Sequence, residues 1–72
     1  MEIGSIEKNM KEKVKVSIET YRKHTFIDCR VYFEDEEGRW LPTKKGIALN
    51  EETIDEVIDL LRKASKQLKK TE

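Results

Sequence analysis

Between Lys13 and Glu19 the chain alternates without a break. Val14, Val16 and Ile18 fall on one side of an extended backbone, and Lys13, Lys15, Ser17 and Glu19 fall on the other. A period of two over this length is a half-buried β-strand. A second alternating run extends from Thr25 to about Glu34. Ile27, Cys29, Val31 and Phe33 share one parity there, while Phe26, Asp28, Arg30 and Tyr32 share the other. Successive side chains of a strand point to opposite faces, so each run has an apolar side that must be covered and a polar side that need not be.

The remaining elements follow from local signals. Tyr21-Arg22-Lys23-His24 reads as a polar connection between the two strands, and Glu34 to Gly38 as a turn in which Gly38 takes a positive φ. Arg39–Thr43 and Gly46–Leu49 read as short third and fourth strands. Pro42 has no N–H for a ladder, so its strand is expected at an edge or at a bend. Asn50 is a good N-cap, Glu51 and Glu52 suit the positive end of a helix dipole, and Leu49 can staple against Ile54. Ile54, Val57, Ile58, Leu61, Ala64 and Leu68 then form an apolar stripe that Leu60 widens, with Lys66, Lys69 and Lys70 toward the C-terminal end. Residues 1–12 have no clean period and are expected to be a loose leading segment before a domain spanning 13–70. The expected fold class is α+β: a four-stranded antiparallel curved sheet followed by one C-terminal helix packed on one face, dimeric.

Composition explains why a dimer enters at this stage. Of 72 residues, 42% are charged and 36% apolar, which leaves a single copy little to bury. One cysteine cannot form an internal disulfide, and Cys29 with the lone His24 cannot complete a structural zinc site. Self-association is the remaining source of stability, and the broad stripe places its interface on Val57, Leu60, Leu61, Ala64 and Leu68. The chain has no long apolar run and no charged–apolar–small leader, so a soluble intracellular protein without a membrane partner is expected.

The formal charge is zero, from 15 basic and 15 acidic residues, which argues against a blanket polyanion binder. The charges are nevertheless segregated. Acids concentrate at Glu34–Glu37 and Glu51–Asp59, while Lys11, Lys13, Lys15, Arg22, Lys23, Arg30, Arg39, Lys44 and Lys45 lie outside those runs. A sheet with one helix leaves one face bare. That face carries Lys13, Lys15, Arg30 and Tyr32, with Trp40 and Lys44-Lys45 nearby. Cations interleaved with rings on strands suit unpaired nucleic acid, because bases stack on rings and cations neutralise phosphates. Bland readings stand beside this one: Trp40 as a cap on the core edge, Phe33 as a core residue by its inward parity, Cys29 as a small buried hydrophobe, His24 as a solvated loop residue. No nucleophile–base pair, metal cluster, glycine-rich phosphate loop or paired-carboxylate signature is present, so neither an enzyme nor a cofactor is expected.

Several segments together resemble the positive cofactor 4 family of transcriptional coactivators. They are Val16-Ser17-Ile18, Tyr21-Arg22, Phe26 to Phe33, Asp35, Glu37-Gly38, Pro42, and Lys44-Lys45-Gly46-Ile47-Ala48-Leu49-Asn50 leading into an acidic helix start. The resemblance covers about residues 13–68 without a gap, and the Lys-Lys-Gly-Ile-Ala-Leu-Asn arm is its most specific part. It implies a homodimer with helices paired beneath two antiparallel sheets, whose grooves hold single-stranded or melted DNA with little sequence preference. Residue by residue, Tyr21 stands at an aromatic stacking position, Arg22 at a basic one, Arg30 at the strand arginine, Phe33 at a stacking tryptophan, and Lys44 and Lys45 at the basic pair. Leu41 and His24 fall where the family usually has lysines, and the serine-rich acidic tail of eukaryotic members is missing.

The expected nucleic-acid-binding set is therefore Lys15, Tyr21, Arg22, His24, Arg30, Phe33, Trp40, Lys44 and Lys45. The expected partners are single-stranded DNA and a second copy of the chain, with the transcription machinery as a candidate third. Single-stranded RNA, or a protein-interaction dimer without nucleic acid, is the alternative. The expected location is the nucleoid-associated cytoplasm in a prokaryote or the nucleus in a eukaryote.

Overall fold

In a computed structural model that describes residues 1–71, strands β1 (Glu2–Glu7), β2 (Glu12–Tyr21), β3 (His24–Glu34) and β4 (Trp40–Leu49) precede one helix, α1 (Ile54–Thr71). All neighbours pair antiparallel in the order β1-β2-β3-β4. The two alternating runs pair with each other in unbroken register from Glu12–Phe33 to Tyr21–His24. Their apolar parities therefore coincide: Val14 faces Val31, Val16 faces Cys29 and Ile18 faces Ile27.

The four strands are not the four that were expected. Residues 2–7, expected to be loose, form β1 and cover the outer edge of β2. The pairing passes from Glu2–Ser17 to Gly4–Val16, so Ile3 is a bulge residue and the alternation breaks there. That break hid the strand from a period-two reading. The Met1 amino group donates to the Ile18 carbonyl at 2.8 Å, and the Ile18 amide donates to the Met1 carbonyl at the same distance. The short third and fourth strands, in turn, are one continuous strand, β4, interrupted by a bulge opposite Val31. Pro42 lies on this edge strand, as a residue without an N–H should.

The helix starts as expected and ends up elsewhere. The Asn50 side chain accepts from the Thr53 amide at 2.9 Å, and its carbonyl accepts from the Ile54 amide, so Asn50 caps the helix. Asp55 and Glu56 lie in the first turn and Lys69 and Lys70 in the last, both favourable to the dipole. Beyond its first turn, however, α1 does not lie across the sheet of its own chain. Only its base meets the sheet, where Ile54, Leu49, Ile18, Thr25, Phe26, Ile27 and Glu51 line an apolar cleft of about 260 Å³. The radius of gyration is 14.3 Å, against roughly 11 Å for a compact chain of this length. Among the described residues no apolar side chain is fully buried, and Leu60 and Leu61 are each 64% exposed.

The β3–β4 turn is held by one carboxylate. Asp35 accepts the Arg39 and Glu37 amides on Oδ1, both at 2.9 Å, and the Arg39 Nε on Oδ2 at 3.0 Å. Gly38 supplies the positive φ of 83°. The Arg39 backbone hydrogen bond, followed by the Arg39 side chain and the Glu37 and Gly38 amides, holds the Asp35 pKa below its ordinary value. A depressed folded-state pKa means that the contribution is complete above the unfolded-state value and is lost as pH falls through the folded one. Asp35→Ala should therefore lower Tm at neutral pH, and the gap to the wild type should close in acid below the usual carboxylate range. Parallel thermal melts across pH check both signs.

Candidate nucleic-acid interface

The register collects the polar parity on one face. Lys13 faces Tyr32, Lys15 faces Arg30 and Ser17 faces Asp28, while Glu34 faces Trp40 across the β3–β4 ladder. Two ammonium groups sit over rings: Lys13 Nζ lies 4.5 Å from the Trp40 ring centroid and Lys15 Nζ 4.0 Å from that of Tyr32. Such contacts contribute about 0.5–1 kcal/mol each at exposed sites. Lys15 is further engaged by Glu2 at 3.3 Å. Lys15 and Trp40 are thus already partnered on this face, and Trp40 has Lys13 stacked over its ring.

Arg30 is also committed. Its Nε and Nη2 donate to the two oxygens of Asp28 at 3.1 and 2.9 Å, and its Nη1 donates to the Thr43 carbonyl at 2.9 Å. The hydrogen bond to Asp28 raises the Arg30 pKa, so this group stays charged throughout the working range.

The more accessible site residues fall into two clusters. One is the β2–β3 hairpin tip, with Tyr21, Arg22, Lys23 and His24 all exposed. Tyr21 is 63% exposed, and the Arg22 guanidinium lies 5.2 Å from its ring centroid. The other cluster is at the far end, where Phe33 is 39% exposed on the apolar parity and Lys44 and Lys45 occupy the β4 bulge. Among the described residues, neither lysine nor Arg22 or Lys23 has a carboxylate within ion-pair distance. The clusters are nine residues of strand apart along the ladder, about 30 Å at ~3.3 Å per residue. Tyr21 and Phe33 also lie on opposite parities. One chain therefore does not bring its two accessible stacking rings together.

Sequence reasoning passed over two residues of this surface. Lys23 occupies the second position of a two-residue hairpin turn; the pairing of Tyr21 with His24 leaves only Arg22 and Lys23 to close it. That spacing was the available signal. Asp28 is the other, two residues before Arg30 and hence on the same face of β3. Among the described residues no three of His, Cys, Asp and Glu gather to hold a metal.

The sequence profile described as Transcriptional Coactivator p15 (PC4) matches residues 8–60, which include both clusters. The chain belongs to this family. A PC4 homologue from Burkholderia pseudomallei K96243, in its orthorhombic crystal form, superposes with a TM-score of 0.85 at 29% identity. That match covers 90% of this chain and 88% of the other. The bacteriophage T5 homologue of the eukaryotic coactivator PC4, implicated in recombination-dependent DNA replication, shares the fold at a TM-score of 0.60 and 21% identity. It covers 94% of this chain and 78% of its own. No curated protein matches significantly.

The tip of the PC4-family sheet carries backbone strain in this chain. Arg22 and Lys23 have φ of 49° and 69°, the left-handed pair that a two-residue hairpin turn requires and that Asn-Gly adopts far more easily. Each such L-residue costs roughly 1–2 kcal/mol, so charge is retained here at the expense of stability. Lys23→Gly should raise stability by a net ~0.5–1 kcal/mol after the added entropy of the unfolded chain. A denaturant melt that gives no increase would count against strain at the turn.

Proposed function

We propose that a homodimer of this chain binds single-stranded or melted DNA with little sequence preference, in a transcriptional role of the coactivator type. The observation that carries this reading is the pairing of an exposed ring with exposed, unpaired cations at each end of one open sheet: Tyr21 with Arg22 and Lys23, and Phe33 with Lys44 and Lys45. Rings can stack only on bases that have left a duplex, and each base offers a π face, so affinity without sequence preference follows. Membership of the PC4 family supports the same reading. Fluorescence anisotropy with labelled oligo-dT and with its duplex tests it. Tighter binding of the single strand is the expected result, and equal or tighter duplex binding overturns it. A matched RNA oligomer as competitor measures how far the sugar matters.

The two clusters should differ in how salt affects them. Each phosphate contact on a single strand contributes ~0.7 to the slope of log K against log salt. Replacing Lys44 and Lys45 together should lower affinity and flatten that slope by roughly one to two contacts per site. Tyr21→Ala should cost ~1–3 kcal/mol of stacking and leave the slope nearly unchanged, because a ring releases no counterion. Lys15, held by Tyr32 and Glu2, is expected to contribute less than either lysine of the bulge.

Dimerisation is supported by what a single copy leaves uncovered. Leu60, Leu61 and Leu68 are at least 60% exposed on one helix, and burying each fully is worth ~1.5–3 kcal/mol. Leu61→Asp gives a sharp outcome, since in an isolated chain an exposed substitution should change stability by no more than about 0.5 kcal/mol. In a dimer with α1 at its interface it should dissociate or unfold the protein. Sedimentation of wild type and variant at micromolar concentration decides, and an 8.5 kDa wild-type monomer would reject the dimer.

A further inference from the structure

The β4 bulge must keep an edge strand attached to β3 while turning out two lysines. Arg30 pairs with Gly46 and Tyr32 with Pro42, so Val31 alone opposes Thr43, Lys44 and Lys45. A ladder carrying surplus residues beside a proline has lost several of its backbone bonds. Side chains replace them. Thr43 Oγ1 donates to the Val31 carbonyl at 2.7 Å and accepts from the Lys45 amide at 3.1 Å. Arg30 Nη1 ties down the Thr43 carbonyl at 2.9 Å. Gly46 lets the strands close up beside this tie, since a Cβ there would sit 2.8 Å from the Cys29 carbonyl oxygen and 3.0 Å from Arg30 Cα.

We infer that Arg30 is a positioning residue: aimed by Asp28, it clamps the Thr43 carbonyl and so fixes the bulge that presents Lys44 and Lys45 to phosphate. This rests on the proposed nucleic-acid reading and reassigns one of its residues, because the charge of Arg30 is spent on Asp28 rather than on the ligand. The fork geometry supports it: three of the five guanidinium N–H donors are used inside the protein. Swinging Arg30 out to a phosphate would strand the Asp28 carboxylate, whose side chain is only 13% exposed, without its counter-ion.

The two roles give opposite signs for Asp28. If Arg30 were a phosphate ligand held back by a carboxylate, Asp28→Asn would remove a negative charge from the binding face and tighten binding. As the aimer of a clamp, Asp28→Asn weakens oligo-dT binding by roughly three- to tenfold. Arg30→Lys keeps the charge but lacks the fork. It should lose as much affinity as Arg30→Gln, flatten the salt slope toward that of the Lys44/Lys45 double variant, and add little when combined with it. Thr43→Val, which changes no charge, should weaken binding as well. The Lys45 amide donates to Thr43 Oγ1 inside the bulge, so loss of its exchange protection in Arg30→Lys reports that the bulge has opened when the clamp on the Thr43 carbonyl is removed, with thermal melts of every variant run alongside. Tighter binding by Asp28→Asn, or Arg30→Lys within twofold of wild type, overturns the inference. If either variant is unfolded at the assay temperature, Thr43→Val decides, and unchanged affinity there overturns it. If wild type fails to bind oligo-dT, the proposed function falls on its own. The clamp is then judged by the Lys45 amide alone, where unchanged protection in Arg30→Lys overturns it.

Discussion

The β2–β3 ladder is the frame on which the other parts of the molecule are hung. Its pairs run without interruption from Glu12–Phe33 to Tyr21–His24, so a shift of one residue would exchange the two faces along the whole length. The match of Val14, Val16 and Ile18 with Val31, Cys29 and Ile27 opposes that slip, because a one-residue shift would turn the apolar groups of one strand onto the face that carries the lysines of the other. With the register set, the hairpin tip has two residues left to turn in, and Arg22 and Lys23 are driven to positive φ. At the opposite end Phe33 is carried to the apolar side. On the polar side, Lys13 and Lys15 are brought over Trp40 and Tyr32, and Arg30 is brought beside Asp28.

That frame does not enclose a core. The sheet has a polar face and an apolar face, and the helix that could cover the apolar one touches it only near Ile54. Of the described residues only Ser17 is buried, at 4% exposure, and it is polar. Marginal stability in small domains depends on burying a few side chains. The exposure of Leu60, Leu61 and Leu68 in a single copy is what the proposed dimer would remove. The separation of the rings by the length of the ladder bears on the proposed function as well. A groove lined by both would have to draw on more than one copy, or follow a strand long enough to reach both ends.

How legible this was depended on whether a signal was local and periodic. β2, β3, the Gly38 turn and the Asn50 cap each rest on short-range chemistry and were readable as such, and the face assignment of Lys13, Lys15, Arg30 and Tyr32 followed from parity. Bulges were not readable, because an extra residue has no signature of its own. Ile3 concealed β1, and the Thr43–Lys45 insertion made β4 look like two strands. The position of α1 was misjudged for another reason. An amphipathic stripe says that a helix must be covered, and it does not name the cover. Among the candidate residues, Tyr21, Arg22, His24, Lys44 and Lys45 are exposed. Lys15 and Arg30 were identified as cations, but their partners Glu2 and Asp28 were not, since a linear sequence does not reveal which charges have been spent.

That distinction also reconciles zero net charge with the proposed binding of a polyanion. The field at a binding face is set by cations that lack a nearby counter-ion, not by the sum over the chain. Arg39 is neutralised by Asp35 and Glu37, Arg30 by Asp28, Lys15 by Glu2 and Lys8 by Glu12. These pairs sit in turns and ladders, where they fix geometry. Lys44, Lys45, Arg22 and Lys23 sit where the backbone departs from the regular sheet, in a bulge and in a strained turn. A regular ladder places side chains opposite one another at short range and so tends to pair charges. In the β4 bulge and at the β2–β3 tip, among the described residues, no carboxylate stands within ion-pair distance of Lys44, Lys45, Arg22 or Lys23, whereas the β3–β4 turn keeps Arg39 paired with Asp35 and Glu37. The bulge that made β4 hard to read is thus also where Lys44 and Lys45 stand clear of an ion pair.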